Sequence, residues 1–403
     1  MSTLGSLGIS AVAYQDGQLG GLNRYTGEMV AALTRQKPEV SLYTASIPLA
    51  RRHPQQSRLI RPQSLGRSDF KGNFLRLIWH QTSLPRHLKQ DGVQILYSPV
   101  AEGMIAPTCR QVITIHDLLP LRFPRMNPRL RYYFQYVLPR IVRGSAAVIT
   151  VSEATRGDLR RFFGASDTPV HVVHGAYDAR AFSTTTATPA IVDEARRKHR
   201  LGEYILAVGE TRPYKNTRRL IKAFARLRRN DLQLAIVGKT NKMDPDLEHF
   251  PRGLGVKERV RFLGYVSDRD LAALYGGAAA FVFPSLYEGF GIPPLEAMAC
   301  GCPVVCSRAA SLPEVCGDAA EYVDPLDVGS IAAGISRVLN DASLRSSLRE
   351  KGRERVRAFS YDKAAAEIVQ ILDEVAGATG SQWQRWRWEN THAAAGRSPS
   401  APR

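Results

Sequence analysis

Short β-rich runs alternate with helical patterns along most of this chain. The runs in its first half are LGISAVA (7–13), VSLYTA (40–45), VQILYSP (93–99), QVITIHD (111–117) and AAVITVS (146–152). Helical patterns, such as those over 22–36 and 153–163, separate several of them. This alternation is typical of a parallel sheet that helices cover on both faces. The sequence therefore predicts a doubly wound α/β fold.

The alternation stops at AFSTTTATPA (181–190) and then starts again. The second series of strands is YILAVG (204–209), LQLAIVG (232–238), RVRFLG (259–264), AAFVFP (279–284) and PVVCS (303–307). A chain of 403 residues exceeds the size of about 250–300 residues at which a single core stops growing. We therefore expect two domains, 1–180 and 181–360, with 181–190 as the linker.

The segment after residue 360 has two parts. A helix is predicted over 361–376, and we expect it to pack back on the first domain. Residues 377–403 lose apolar periodicity and are predicted to be disordered. Three of the four tryptophans lie there beside Arg385 and Arg387. This tail is an interfacial membrane contact, a cloning or frameshift remnant, or an inert tail.

The net charge of +18 is concentrated in the first half of the chain, where residues 1–180 hold 23 Lys and Arg against 11 Asp and Glu. Such a surface attracts nucleic acid, an anionic lipid leaflet or phosphorylated ligands, and a merely solvated basic face is the alternative. The stretch RLRYYFQYVLPRIVR (129–143) combines four arginines with aromatic residues. It either rests on an anionic leaflet or forms a helix that covers the sheet.

Neither a membrane-spanning segment nor a secretory leader is predicted. The apolar stretch AALYGGAAAFVFP (272–284) is far shorter than the roughly 20 apolar residues that cross a bilayer. The first basic residue is Arg24, so the apolar run at 7–13 lacks the positive leader of a signal peptide. We expect a cytoplasmic protein.

Four of the five cysteines, Cys300, Cys302, Cys306 and Cys316, lie within 17 residues of one another. Their spacing matches no zinc-binding pattern, such as paired C-x-x-C motifs. We therefore expect no metal site. We interpret them, together with Cys109, as small buried apolar residues in a reducing compartment.

Ligands of open parallel sheets bind beyond the carboxyl ends of the strands, and three loops there have unusual chemistry. In the first, DGQLGGLNRYTGEM (16–29), Gly20 and Gly21 follow the first strand and precede a helix. Adjacent glycines allow a ligand to approach the backbone, and a helix N-terminus offers N–H groups to an anion. This loop predicts a phosphate site, with a plain turn as the alternative.

The second loop, VGETRPYKN (208–216), follows the strand that ends at Gly209. Asn216 is the predicted N-cap of the next helix, which places Lys215 at the helix entrance and Arg212 one turn of loop before it. Two converging cations suit a diphosphate, although a basic surface turn explains them as well.

The third loop, SLYEGFGIPPLEAM (285–298), carries Glu288 and precedes a helix whose first turn suits Pro293 and Pro294. Glu296 is predicted to lie within that first turn. A carboxylate there stabilises the positive end of the helix by roughly 0.3–1 kcal/mol. This explains Glu296 but leaves Glu288 and its neighbouring glycines without a purpose.

A strand of the first half also ends in polar residues, His116 and Asp117, within TIHDLLPLRFP (114–124). A lone histidine is more often structural than catalytic. This pair therefore indicates function only together with other site residues.

Together these motifs resemble those of the retaining glycosyltransferases of family 4, which have the GT-B architecture. The resemblance spans about residues 7–376 and rests on the Glu288–Glu296 pair, the Gly20–Gly21 loop and the stretches HDLLPLRFP, VSEATRGDL, VGETRPYKN and FSYDKAAAEI. It implies two Rossmann-like, doubly wound domains that face each other across a cleft. The first domain then lies on the acceptor side, and the second binds the nucleotide sugar.

The resemblance also implies how the second domain binds its donor. Glu288 lies beside the sugar, and Glu296 hydrogen-bonds the ribose hydroxyls. Lys215 and Arg212 neutralise the diphosphate, and the backbone amides of Phe290 and Gly291 approach the same group. Many family members have an arginine where this chain has Glu210, so Arg212 is the nearest replacement. The Asn-Gly usual before the interdomain link is His174-Gly175 here.

On the first domain, the resemblance implies that Gly20 and Gly21 face the diphosphate and that His116 lies close to the transferred hexose. The mechanism usually favoured for the family is a front-face attack in which the leaving phosphate takes the proton of the acceptor. No metal or other cofactor is then required. A covalent carboxylate intermediate is the alternative, and Asp117 and Glu288 are the carboxylates to consider for it.

The motif around Glu288 is most similar to that of bacterial mannosyltransferases. This implies transfer of mannose from GDP-mannose, or of glucose from UDP-glucose, onto a polyprenyl-linked or cell-surface glycan at the inner face of the cell membrane. A non-catalytic relative that only binds sugar nucleotides is one alternative. A nucleic-acid-binding protein is another, suggested by the basic charge, but the sequence has no helix-turn-helix, RRM-like or zinc pattern.

Overall fold

The computed structural model describes residues 6–17, 20–67, 69–164, 167–240 and 243–377. The chain forms two compact units. Unit 1 comprises Met1–Gly175 and Tyr361–Arg403, and unit 2 comprises Ala176–Ser360. The first break therefore lies at 175/176 rather than at the predicted 180/181. The predicted disordered tail, with its tryptophans and with Arg385 and Arg387, lies outside the described residues from 378 onward.

Unit 1 contains one sheet of seven strands. They are β1 (Leu7–Ser10), β2 (Ser41–Thr44), β3 (Ser57–Leu59), β4 (Ile95–Ser98), β5 (Arg110–Ile115), β6 (Ala147–Thr150) and β7 (Val170–Val172). Their order is β3-β2-β1-β4-β5-β6-β7, and every pairing is parallel. Strands β1, β4 and β6 are buried at every residue, as expected for strands that helices cover on both faces.

Helices connect these strands. They are α1 (Gly21–Gln36), α2 (Ile47–Arg52), α3 (Phe70–Thr82), α4 (Leu84–Gln90), α5 (Leu119–Arg122), α6 (Pro128–Tyr132), α7 (Leu138–Gly144) and α8 (Glu153–Phe163). A π-helical turn, Tyr133–Val137, joins α6 directly to α7. We refer to α6, this turn and α7 together as the α6–α7 helix.

Unit 2 contains a sheet of six parallel strands. They are β8 (Glu203–Val208), β9 (Leu232–Val237), β10 (Val260–Gly264), β11 (Ala280–Phe283), β12 (Val304–Ser307) and β13 (Ala320–Val323). Their order is β10-β9-β8-β11-β12-β13. The helices are α9 (Pro189–His199), α10 (Thr217–Arg226), α11 (Asp268–Gly277), α12 (Ile292–Ala299), α13 (Leu312–Cys316), α14 (Val328–Asn340) and α15 (Ala342–Val356). The predicted fold class, two Rossmann-like units, is confirmed.

The segment predicted as the linker, 181–190, belongs to unit 2. Phe182 is fully buried, and its ring lies edge-on to that of Tyr275 with 6.0 Å between the centroids. Pro189 begins α9. The prediction was wrong because Thr, Ser and Pro, which indicate a loop, do not distinguish a linker from a loop that packs on its own domain.

The last described helix, α16 (Tyr361–Gly377), lies in unit 1 and packs against α1. Arg35 of α1 donates to Asp362 at 2.6 Å. At the other end of α16, Arg110 of β5 donates to the carbonyl oxygen of Ala376 at 2.6 Å. The chain thus leaves unit 1 for unit 2 and returns to it for its last described helix.

All five cysteines are free and buried. Burial raises the pKa of Cys109 and of Cys300 to about 12, so both thiols are protonated at neutral pH. Within the described ranges, no cluster of three or more His, Cys, Asp or Glu side chains has the arrangement of a metal site. None of the described helices combines the length and hydropathy that crossing a bilayer requires.

The strand ends of unit 2 approach each other closely at Gly209 and Gly238. Gly238 follows β9 with a φ of 130°, and a Cβ atom there would lie 2.2 Å from the carbonyl oxygen of Gly209. The positive φ and the close approach both require glycine at this position.

We expect Gly238→Ala to lower the free energy of unfolding by roughly 1–3 kcal/mol, the cost of holding a non-glycine residue in such a conformation. Thermal unfolding followed by circular dichroism measures the loss. Gly253→Ala is the matched control, because nothing lies within 4 Å of its Cβ position. Equal midpoints for Gly238→Ala and the wild type would contradict the close approach.

Candidate functional site

Two of the predicted donor loops of unit 2 meet at one edge of its sheet. Strand β8 pairs with β9 on one side and with β11 on the other. The strand order changes direction between β8 and β11, and ligands of open α/β sheets bind beyond the carboxyl ends at such a point. The loops after β8 and β11, residues 209–216 and 284–291, lie there.

An ion pair joins the two loops. Lys215 Nζ donates to Glu288 Oε1 at 2.7 Å, and the two side chains are only 16% and 11% exposed. Nζ also lies 4.8 Å from the centroid of the Phe283 ring and 5.3 Å from that of Tyr214, where ring faces attract a cation. The ammonium group is therefore held at the sheet edge by a carboxylate and two aromatic rings.

Ser311, which is fully buried, supports the backbone of the loop after β11. Its hydroxyl hydrogen is shared between two acceptors, the carbonyl oxygens of Glu288 at 3.0 Å and of Phe290 at 2.6 Å. In a trans peptide the N–H points opposite to the C=O, so the N–H of Gly291 points away from Ser311. The N–H therefore lies on the face of the loop that Ser311 does not contact.

Helix α12 begins directly after Gly291, which has a φ of 105° and offers no side-chain cap. Pro293 and Pro294 occupy the first turn, as predicted. Proline has no N–H, so these two positions contribute no donor to the helix N-terminus. Donors for an anion at this point must come from the loop backbone, from Ile292 and from Lys215 rather than from the helix as a whole.

We predicted that Glu296 lies in the first turn of α12. It is instead the fifth residue of the helix, and no acidic residue lies in the first turn. The prediction placed the helix start at the prolines, whereas it lies at Ile292. Glu296 is 6% exposed and accepts from the hydroxyl of Tyr275 at 3.1 Å. Burial, and secondarily the charge of Glu296, raises the pKa of Tyr275 well above its usual value. Capping of the helix dipole therefore does not explain this carboxylate.

The loop after β8 differs from the prediction at two residues. Arg212 Nε donates to Glu210 at 2.8 Å, in a pair whose side chains are 45% and 41% exposed. Asn216 occupies the N-cap position of α10, but its side chain does not cap the helix. Its Nδ2 instead donates to the carbonyl oxygens of Pro284, at 3.0 Å, and Pro325, at 2.7 Å, which ties this turn to the loop after β11.

In unit 1, Gly20 and Gly21 lie at the start of α1. Gly20 is the N-cap with a φ of 142°, and α1 has no side-chain cap. Nothing lies within 4 Å of the position of a Cβ atom at Gly20. The side chain of Asn23 holds the start of the loop, because it accepts from the backbone nitrogen of Gln15 at 2.9 Å and donates to its oxygen at 2.6 Å.

His116 follows β5 and contacts the residue after β4. Its Nε2 lies 2.8 Å from the carbonyl oxygen of Pro99, which assigns the hydrogen to Nε2 and leaves Nδ1 as the acceptor. The ring lies edge-on to Tyr25 of α1, with 4.4 Å between centroids. Burial lowers the pKa of His116 to about 4, so the ring is neutral at pH 7.

Asp117 has a structural contact of its own. Its Oδ1 accepts from the backbone nitrogen of Leu119 at 2.9 Å, at the start of α5. This bond occupies one carboxylate oxygen and fixes the orientation of the group.

Sequence reasoning missed three residues that support these sites. Thr155 donates to the carbonyl oxygen of His116 at 3.1 Å, and its position in VSEATRGDL was the available signal. Ser311, which directly precedes α13, and Tyr275, which lies in α11, had no signal, because each acts through a fold contact.

The chemistry available in unit 2 suits a ligand that has both an anionic part and hydroxyl groups. Lys215 and the N–H of Gly291 donate, whereas the carboxylates of Glu288 and Glu296 accept from hydroxyls. In unit 1, a neutral histidine and the glycine-rich entrance to α1 offer hydrogen bonds without a net charge.

Two family models match this chain. The model described as "Glycosyltransferase Family 4" matches residues 19–181, and the model described as "Glycosyl transferases group 1" matches residues 192–355. Between them they contain all the predicted site residues. The two matches also follow the order of the two units.

Curated relatives and solved structures agree with these matches. An O-antigen chain mannosyltransferase B of Escherichia coli is 35% identical over 64% of this chain and 69% of its own. An MMP α-(1→4)-mannosyltransferase of Mycolicibacterium hassiacum is 34% identical over 62% of this chain and 59% of its own, so the match leaves out about two fifths of that relative. The structure of sucrose-phosphate synthase from Thermosynechococcus elongatus has a TM-score of 0.75 and 20% identity, and the match covers 93% of this chain and 100% of that one.

The free energy of unfolding of suitable variants tests the Lys215–Glu288 ion pair. Lys215→Met leaves a shielded carboxylate without its partner, which should lower the free energy of unfolding by as much as ~3–5 kcal/mol. The double variant Lys215→Met/Glu288→Leu removes both charges and should recover most of that loss. Urea unfolding of the two variants and the wild type measures both effects. A double variant less stable than Lys215→Met would contradict the pairing.

The low pKa of His116 predicts how its contribution to stability depends on pH. The folded pKa of about 4 lies below the unfolded value of about 6.5, so the unfolded chain binds more protons between these values. The stability provided by the neutral ring is then fully present above about pH 6.5 and is lost as the pH falls towards 4. The difference in unfolding free energy between the wild type and His116→Gln should therefore shrink from pH 7.5 to pH 4.5. A constant difference would show that His116 is not held neutral.

Proposed function

This chain belongs to glycosyltransferase family 4, and on that premise we propose that it is a retaining α-mannosyltransferase that uses GDP-mannose. The observation that carries the proposal is the Lys215–Glu288 pair, 2.7 Å apart at the carboxyl edge of β8 and β11. The mannosyltransferase activity named for two curated relatives supports mannose as the sugar.

In the proposed reaction, the bond between the anomeric carbon and the diphosphate oxygen breaks. A bond to the acceptor oxygen forms on the same face of the sugar, and the departing phosphate oxygen takes the acceptor's proton. Positive charge develops on the sugar next to Glu288, and negative charge develops on the diphosphate next to Lys215. A fixed donor in a comparable oxyanion site contributes roughly 2.7–4 kcal/mol to transition-state stabilisation.

The remaining site residues have binding roles in this proposal. Glu296 accepts from the ribose hydroxyls, and the backbone of Phe290 and Gly291 approaches the diphosphate. Arg212 exchanges its ion pair with Glu210 for one with the diphosphate, which Lys215 also binds. These groups supply the positive charge that the leaving group requires, so the proposed mechanism uses no metal or other cofactor.

Unit 1 provides the acceptor side in this proposal. Gly20 and Gly21 contact the diphosphate, and the neutral His116 hydrogen-bonds the transferred hexose. The acceptor is a lipid-linked or cell-surface glycan, such as a polyprenyl-linked oligosaccharide, and the reaction takes place in the cytoplasm at the inner face of the cell membrane. The relative named for O-antigen chains supports this class of acceptor.

We expect GDP release from GDP-mannose in an assay of donor turnover, and slower turnover of UDP-glucose. Lys215→Ala should lower kcat by roughly 10²–10³, as removal of one oxyanion donor does in comparable sites. Lys198→Ala is the matched control, because Lys198 is an exposed lysine of unit 2 that pairs with Asp270. NMR of the product should show an α-linked sugar.

Three outcomes contradict parts of this proposal. Preference for UDP-glucose would change the donor, and a β-linked product would exclude retention. Binding of sugar nucleotides without turnover would identify a non-catalytic relative.

A further inference from the structure

Helix α3 presents large apolar side chains to solvent. Phe70, Phe74 and Ile78 recur at every fourth position and are 56%, 53% and 43% exposed. The opposite face of the same helix buries Trp79 and His80. The outer face of a helix that covers a sheet is normally polar, so this apolar row requires a separate explanation.

The α6–α7 helix continues the same surface. Tyr132 and Tyr136 are 63% and 51% exposed, and their rings stack at 6.1 Å with an interplanar angle of 17°. The guanidinium of Arg129 lies 5.0 Å above the ring of Phe70, so the two helices adjoin. We refer to Phe70, Phe74, Ile78, Arg129, Tyr132 and Tyr136 as the aromatic surface.

Exposed apolar residues are concentrated at this surface. In the described part of the chain, thirteen large hydrophobic side chains are exposed, and five of them belong to the aromatic surface. Apolar side chains scattered singly over a protein need no explanation, whereas a contiguous patch marks an interaction site.

The chain around this surface is strongly basic, and Asp69, the acid next to Phe70, is paired with Arg67. Residues 70–90 and 119–144 together have ten Lys and Arg and neither Asp nor Glu. Arg76 pairs with Glu102, and Arg122 with Asp158. Among the described residues, no ion pair involves Lys71, Arg129 or Arg131. The aromatic surface therefore lies within a positive field.

We propose that the aromatic surface docks unit 1 on an anionic lipid leaflet. Aromatic rings favour the headgroup level of a bilayer, and apolar side chains insert at its acyl boundary. Basic residues around them are attracted to anionic headgroups. The apolar row thus matches the acyl boundary of an anionic leaflet, and its basic surroundings match the headgroups.

The same features disfavour two other occupants. A second copy of this chain would bring two basic surfaces together, because a two-fold interface apposes the same patch on both subunits. A nucleic acid would use the arginines and stack on aromatic rings, but it leaves the aliphatic Ile78 without a partner.

This inference goes beyond the proposed function and does not depend on it, since lipid binding requires no turnover. If the acceptor is lipid-linked, the surface would also bring unit 1 to the membrane that contains it.

We expect the full chain to float with phosphatidylcholine vesicles that contain 30% phosphatidylglycerol, and to bind pure phosphatidylcholine vesicles at least roughly tenfold more weakly. Phe70→Ser/Phe74→Ser should weaken binding to the anionic vesicles roughly tenfold or more. Arg129→Glu/Arg131→Glu should do the same and reduce the dependence of binding on salt. Equal melting curves for variants and wild type establish that each variant folds.

Tyr265→Ser/Leu326→Ser is the matched control, because these residues are 57% and 65% exposed in unit 2. It should bind vesicles like the wild type. Equal binding by the Phe70/Phe74 variant and the wild type would overturn the proposal. Two further outcomes would also overturn the proposal. One is a dimer of the wild type that the Phe70/Phe74 variant abolishes, and the other is binding of a labelled oligonucleotide in preference to anionic vesicles. Donor turnover, measured without vesicles, tests the proposed function separately.

Discussion

The parallel pairing of β8 with β11 is the constraint on which the candidate donor site depends. Parallel strands end at the same edge, so loops that are distant in the sequence meet there. Lys215 and Glu288 are 73 residues apart and still lie within 2.7 Å. In unit 1 the strand order changes direction between β1 and β4, and the carbonyl group of Pro99, which follows β4, contacts His116. The same topology thus organises both candidate sites.

Buried polar side chains then fix the loops at this edge. Asn216 donates to backbone oxygens of two other loops. The Ser311 hydroxyl donates to backbone oxygens of the loop that carries Glu288. A buried carbonyl group without a partner costs roughly 1–3 kcal/mol, so loss of either side chain leaves such groups unsatisfied. The loops are therefore held by bonds whose disruption is unfavourable, which restricts the conformations of Lys215 and Glu288 before any ligand binds.

The fold was predictable because hydrophobic periodicity reports directly on strands and helices. Periodicity does not report strand order, so the meeting of the loops after β8 and β11 was expected only from the family resemblance. Contacts made through the fold were not predictable. Asn216 is a residue type that favours N-caps, but its side chain satisfies carbonyl groups more than 60 residues away. The exposed row on α3 was also missed, because Phe70, Phe74 and Ile78 have the spacing of a buried face, and only tertiary packing determines which face of a helix is covered.

The charges at the donor edge are balanced in pairs, and this affects how a diphosphate can bind. Arg212 pairs with Glu210, and Lys215 pairs with Glu288. An exposed ion pair contributes only about 0–1 kcal/mol, so Arg212 can exchange Glu210 for a phosphate at little cost. The more buried Lys215–Glu288 pair is screened less by water, and separating it would leave a carboxylate unpaired. A diphosphate is therefore expected to be bound by Lys215 while this lysine keeps Glu288, since an ammonium group has three donors. In the proposed reaction, Glu288 would then stay paired with Lys215 beside the sugar.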